Sequence, residues 1–207
     1  AGQILIGTGR EGYDIKRPIG KRASRISVIV LSSSIEEQVV LGVGAVLRKS
    51  FYTNDIRFVS AAGARYQAFR VVFPHEEDYL LIDSAGRALT TALVRRRLLV
   101  SLEQGVVTSA PAKTDPWLVL LENSLESITK RYPLPRTMFL VAPDSVREAL
   151  KGKLENAPVG SLRLSSESAT VIPLAPAHLT DHLKLGLVPE TDLELELLAI
   201  FAGIPRG

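Results

Sequence analysis

A chain of 207 residues, 46% of them hydrophobic, is long enough to bury a sizeable core, and its 23% charged residues, 15 glycines and 12 prolines are ordinary globular usage. It contains no cysteine, which excludes disulfide scaffolds, cysteine-ligated zinc, iron–sulfur clusters and thiol nucleophiles. The net charge of +3 is unevenly placed: residues 1–100 carry 15 Lys and Arg against 9 Asp and Glu, and residues 101–207 carry 10 against 13, so the first half suits an acidic partner or a membrane surface.

The elements follow in chain order. Gln3 to Thr8 and Ser24 to Ser32 are apolar and β-branched and read as strands; in the second, Ile26, Val28 and Val30 share one face and Ile29 and Leu31 the other. Between them Gly12, Pro18 and Gly20 sit among basic residues and mark a loop. Ser33 or Ser34 is placed to cap a helix with Glu36 and Glu37 in its first turn and Arg48 and Lys49 in its last, whose Val39, Val43, Val46 and Leu47 fit one face. A short strand, Asp55 to Ser60, and a helix, Ala61 to Val72, come next, and Pro74 stops the helix.

Asp78 to Gln104 holds three β runs, joined by turns at Ala85-Gly86-Arg87 and over the arginines 95–97, which predicts an antiparallel meander. Asp115 and Pro116 then open a helix whose buried stripe is Trp117, Leu118, Leu120, Leu121, Leu125 and Ile128, and Pro133 ends it. Thr137 to Val141 is a buried strand. A helix opens at Asp144-Ser145, with Ser145 and Glu148 at capping-box spacing. Ala169 to Leu174 is a further strand, and Ala177 to Leu185 and Thr191 to Phe201 are helices. Strand hairpins alternating with helices predict an α/β domain with a mixed sheet.

No apolar run approaches the roughly 20 residues of a membrane span, and no signal peptide is visible, so a cytoplasmic location is expected. The chain starts without methionine and moves almost directly into a strand-like run, which reads as a piece of something longer. Basic residues are spread out and few aromatics interleave with them, which argues against nucleic-acid binding. His178 and His182 have the i, i+4 spacing of paired ligands, but a solvated helix face is the better reading of that spacing and no metal site is assigned. Gly7-Thr8-Gly9-Arg10-Glu11-Gly12 matches the dinucleotide fingerprint by letters. It lacks a helix start after the third glycine and an acid about twenty residues on, and is read as a loop.

The informative piece is Tyr79 to Thr91. A strand ending in Asp83, a turn at Gly86 and a return strand beginning with threonines can hold nucleotide phosphates on backbone amides while an acid orients metal or water; an ordinary hairpin has the same shape. The surrounding order of elements, from about residue 10 to 205, resembles the actin-like ATPase superfamily, in the branch of the cell-division protein FtsA and the type IV pilus assembly protein PilM. The residues that carry it are Gly12 to Gly20, which has one residue more before its proline than the family's G-x-x-x-x-P-x-G loop, the strand that follows, and the run Phe73 to Asp83 into the hairpin. The resemblance implies an actin-like (ribonuclease H-like) α/β fold lacking the N-terminal phosphate-loop half. Residues 1–22 would be the tail of an inserted subdomain with its basic loop, and 23–207 the ATPase-fold domain.

Where that family reads D-x-G-G-x-x-T-D, this chain has Asp83-Ser84-Ala85-Gly86-Arg87-Ala88-Leu89-Thr90, and the glycines of the family's adenosine turn are replaced by Val141-Ala142-Pro143-Asp144. Proline removes an amide donor, and aspartate brings negative charge towards a polyphosphate. The expectation is a non-catalytic scaffold with no bound cofactor, docking to the cytoplasmic tail of a membrane protein or another assembly component. Association with the membrane's inner face or with further copies of the chain is left open. Asp83 and Gly86 would be its residual phosphate hairpin. The competing reading is a working ATPase or kinase that takes ATP and magnesium there and draws its first phosphate loop from a missing N-terminal half.

Overall fold

The computed structural model describes residues 2–10, 13–15, 19–20, 22–84, 88–106, 115–156, 169–183 and 193–204. Its centre is a five-stranded sheet of β4 (Tyr79–Asp83), β5 (Ala88–Arg95), β6 (Leu98–Val106), β7 (Thr137–Val141) and β8 (Thr170–Pro173) in the order β6-β5-β4-β7-β8. The meander β4-β5-β6 is antiparallel, and β7 and β8 add in parallel on the other side of β4. This is the mixed sheet expected of a ribonuclease H-like domain. Every residue of β4 is buried, as a central strand covered on both faces requires.

The two faces divide the core. Tyr79, Leu81, Val94, Phe139 and Val141 point towards α2 (Ala61–Val72) and α6 (Leu193–Ala202). Leu80, Ile82, Leu93, Met138 and Leu140 point towards α3 (Pro116–Thr129) and α4 (Asp144–Asn156). Helix α2 forms because an alanine- and glycine-rich stretch follows Ser60, whose hydroxyl accepts from Gly63 N at 3.4 Å, and it stops where Pro74 cannot continue it. Helix α3 has the predicted start: Asp115 caps Trp117 N at 3.0 Å, with Pro116 in the first turn, and Trp117, Leu121, Leu125 and Ile128 are buried.

The β5–β6 turn places both Arg96 and Arg97 at positive φ, 48° and 64°, where asparagine and glycine are the usual occupants. Three contacts hold it: Arg96 N donates to Asp78 Oδ1 at 2.9 Å, Arg97 N to Glu77 O at 2.9 Å, and Tyr66 Oη to Arg97 O at 3.2 Å.

A second, antiparallel sheet in the order β2-β1-β3 joins β1 (Gly2–Arg10), β2 (Tyr13–Asp14) and β3 (Ile26–Ser33). Ile29 and Leu31 of β3 pack on the α2 side of the core, whereas Ile26, Val28 and Val30 are exposed.

Several local expectations are corrected here. Helix α1 (Glu37–Phe51) is capped at Glu36, not at Ser33 or Ser34, and Glu36 makes no side-chain capping bond. Its Val39, Val43 and Val46 face solvent, and Gly44 is its buried residue. Asp55 to Ser60 forms no strand: it is irregular and mostly exposed, and among the described residues no strand lies beside it to complete a ladder. Ser145 lies inside α4, which begins at Asp144, so it is no cap. In place of a helix from Ala177 to Leu185, the described residues form a 3-10 turn at Pro176–His178 and the short α5 (Thr180–Leu183), and Lys184 and Leu185 lie outside them. Among the described residues no helix is long and apolar enough to cross a membrane.

Candidate functional site

The C-terminal end of β4 lies beside the C-terminal end of β7, because Ile82 pairs with Leu140 and Asp83 with Val141 in parallel register. Open α/β sheets bind ligands at such carboxyl ends. Ser84 continues the ladder, its N–H donating to Val141 O at 2.8 Å. Across the hairpin Asp83 stands opposite Thr90. Gly86 lies outside the described residues.

Asp83 is only 3% exposed, on the face covered by α2. A carboxylate in such a place needs a cation or several donors. Arg65, on the second turn of α2, supplies the cation and donates to Asp83 Oδ2 in an ion pair whose side chains are 13% and 4% exposed. The neighbouring polar group has a partner on the opposite face: Trp117 Nε1 donates to Ser84 Oγ at 2.9 Å inside the core. Successive residues of one strand end are thus fastened to helices on both sides of the sheet.

The end of β7 follows the same pattern. Ala142 is buried, Pro143 has no N–H, and the Asp144 carboxylate pairs with Arg147 one turn along α4. Arg147 also reaches Ala142 O at 3.4 Å. Lys153 of α4 pairs with Asp115, the cap of α3, and this hydrogen bond holds the Asp115 carboxyl below its usual range against the opposing effect of burial. Two buried hydroxyls, Tyr79 Oη and Thr91 Oγ1, have no partner among the described residues. Burial pushes the Tyr79 phenol far up.

The sequence pointed to Asp83 but not to the groups that engage this edge, Arg65, Arg147 and the Ser84–Trp117 pair. The available signal was physical and incomplete: an aspartate ending a run as apolar as Tyr79-Leu80-Leu81-Ile82 requires a counter-ion, but the run does not say which one. His178 ends the 3-10 turn and His182 lies in α5, so the two do not share one helix as their spacing suggested. His178 Nδ1 accepts from Ala175 N at 3.0 Å, and among the described residues no group of three or more His, Asp or Glu could hold a metal ion.

No family model and no curated protein matches the chain. A solved structure to which it is similar is a Bacteroides thetaiotaomicron protein with actin-like ATPase fold and unknown function, at 12% identity and a TM-score of 0.47. The alignment covers 75% of this chain and 49% of that one, so the chain spans about half of that protein's length.

Proposed function

We propose that the chain is a non-catalytic, actin-like assembly component that docks to a membrane machine from the cytoplasmic side, in the manner of a PilM-like pilus assembly protein. The observation that carries the non-catalytic part is the Arg65–Asp83 ion pair. In a nucleotide cradle the acid at this strand end orients metal or water next to phosphate. Here its charge is balanced by a guanidinium of the same chain and is turned into the α2 face.

The rest of the edge supports the same reading. Ser84 Oγ is engaged by the Trp117 indole, Pro143 offers no amide, and Asp144 adds a carboxylate where polyphosphate would need donors. On this reading the edge holds no magnesium–ATP. The assembly part of the reading is supported by the likeness of Gly12 to Gly20 and Phe73 to Asp83 to the PilM and FtsA branch.

Calorimetric titration of the chain with ATP and magnesium tests it. The expected result is no saturable heat up to on the order of 1 mM nucleotide. Micromolar binding overturns the reading in favour of a nucleotide-dependent member of the same superfamily.

A further inference from the structure

The amino ends of β4 and β7 lie side by side, since Leu80 pairs with Met138 in parallel register, and the β5–β6 turn closes at the same end, where Tyr79 pairs with Val94. This end of the sheet is opposite to the one that carries Asp83. Two of the loops that meet there are basic: Arg95, Arg96 and Arg97 stand at the β5–β6 turn, and Lys130, Arg131 and Arg136 between α3 and β7. Arg95 joins the two by donating to Pro133 O, and Arg97 reaches Pro74 O ahead of β4. These two side chains are half-buried braces, whereas Arg96, Lys130, Arg131 and Arg136 are exposed.

The turn is built against its local preference. Arg96 and Arg97 both stand at positive φ, where glycine or asparagine would close the same hairpin with less strain. The conformation persists because Asp78, Glu77 and Tyr66 fix the turn's backbone from outside the hairpin. Strain held in this way by surrounding structure gathers at clamps and ligand sites. What it achieves here is a guanidinium at the exposed tip of a basic face.

We propose that this arginine face, with Arg96 at its tip, is a docking surface for an acidic peptide segment of a partner protein. Covering exposed cations with an apolar surface is costly, so the occupant carries the opposite charge, and guanidinium forks match carboxylates in geometry as well as in sign. The chain's own acids leave that demand open. The Asp78 carboxylate is engaged by Arg96 N and lies 3.8 Å from Arg95 Nη1, and Glu126, 3.9 Å from Lys130, is an exposed and weak counter-charge. Glu76, Glu77 and Asp78 border the turn on the α2 side, which disfavours a uniformly anionic bilayer, whereas a peptide sets its carboxylates against the arginines alone. Because the face lies at the other strand ends from Asp83, it stands whether or not that edge takes nucleotide.

Fluorescence anisotropy of a labelled octaglutamate peptide titrated with the chain, at about 20 mM and about 200 mM salt, tests this. Saturable binding that weakens as salt rises is expected. Arg96→Gly removes the guanidinium and relieves the positive φ, so it is expected to raise the thermal midpoint while weakening the peptide by about 5-fold or more. Lys130→Gln with Arg131→Gln is expected to weaken it by a similar factor. Arg48→Gln with Lys49→Gln, at the end of α1, removes the same charge elsewhere and is expected to leave the affinity within about 2-fold of wild type. No saturable binding by wild type, an equal loss in the α1 variant, an Arg96→Gly chain that binds as wild type or melts lower, or binding to phosphatidylserine vesicles and not to the peptide would each overturn it.

Discussion

Arg65 of α2 donates to the carboxylate of Asp83 at the end of β4, and both side chains are almost wholly withdrawn from water. The pair ties the helix to the strand end that a nucleotide would approach. Its net stabilisation is small, because desolvating both charges offsets much of their attraction, but removing one partner leaves the other buried and poorly compensated. Arg65→Ala is therefore expected to cost about 3–5 kcal/mol in urea denaturation, whereas Arg65→Leu combined with Asp83→Leu is expected to lie close to wild type. If Arg65→Ala costs less than the double substitution, the pair is not the anchor described.

Tyr79 and Thr91 carry hydroxyls with no hydrogen-bond partner among the described residues, although Tyr79 is 1% exposed and Thr91 is fully buried. A buried hydroxyl without a partner costs its desolvation and returns nothing. Tyr79→Phe leaves the edge-to-face contact with Phe139, whose ring centre is 5.7 Å away, and Thr91→Val keeps the branched shape in β5. Each is expected to stabilise the protein by about 1 kcal/mol, read as a shift of the thermal midpoint. A loss of stability in either would mean that the hydroxyl is satisfied.

What could be read in the sequence was whatever short-range chemistry decides. The β4-β5-β6 meander follows from its three β runs and the turn residues between them, the end of α2 from Pro74, and α3 from Asp115-Pro116. What could not be read depends on neighbours distant in sequence. Among the described residues, Asp55 to Ser60 has strand composition but no strand beside it, and Val39, Val43 and Val46 have a buried pattern but are exposed. Asp83 was identifiable from the run that ends in it. Its partner Arg65 was not, because eighteen residues and the helix–sheet packing separate the two.

Tyr52 terminates α1 in the left-handed region, at φ 52° and ψ 35°, with its side chain 95% exposed. Side chains other than glycine are strained there, and this ring recovers almost nothing by packing. Tyr52→Gly is expected to stabilise the helix end by about 0.5–1 kcal/mol. The thermal midpoint of the variant reads it. Destabilisation would show that the ring is held by contacts within the same chain.

Asp115 performs two tasks that one substitution separates. It caps α3 through Trp117 N and pairs with Lys153 of α4, so it fastens the two helices on one face of the sheet. Asparagine also caps well, so Asp115→Asn keeps the first task and loses the charge. The hydrogen bond from Lys153 holds the folded carboxyl below its usual range, and the stabilisation that goes with this is present above the unfolded pKa, about 3.9, and lost as pH falls through the lower folded value. At neutral pH the variant is expected to be less stable by about 1 kcal/mol or less, since both side chains keep some contact with water. Below pH 4 the gap is expected to narrow and then close as Asp115 itself becomes protonated. Thermal midpoints of the two proteins from pH 7 down to pH 2 check this, and a gap that stays constant or widens towards acid pH would show that the Lys153 contact does not stabilise the ionised carboxylate.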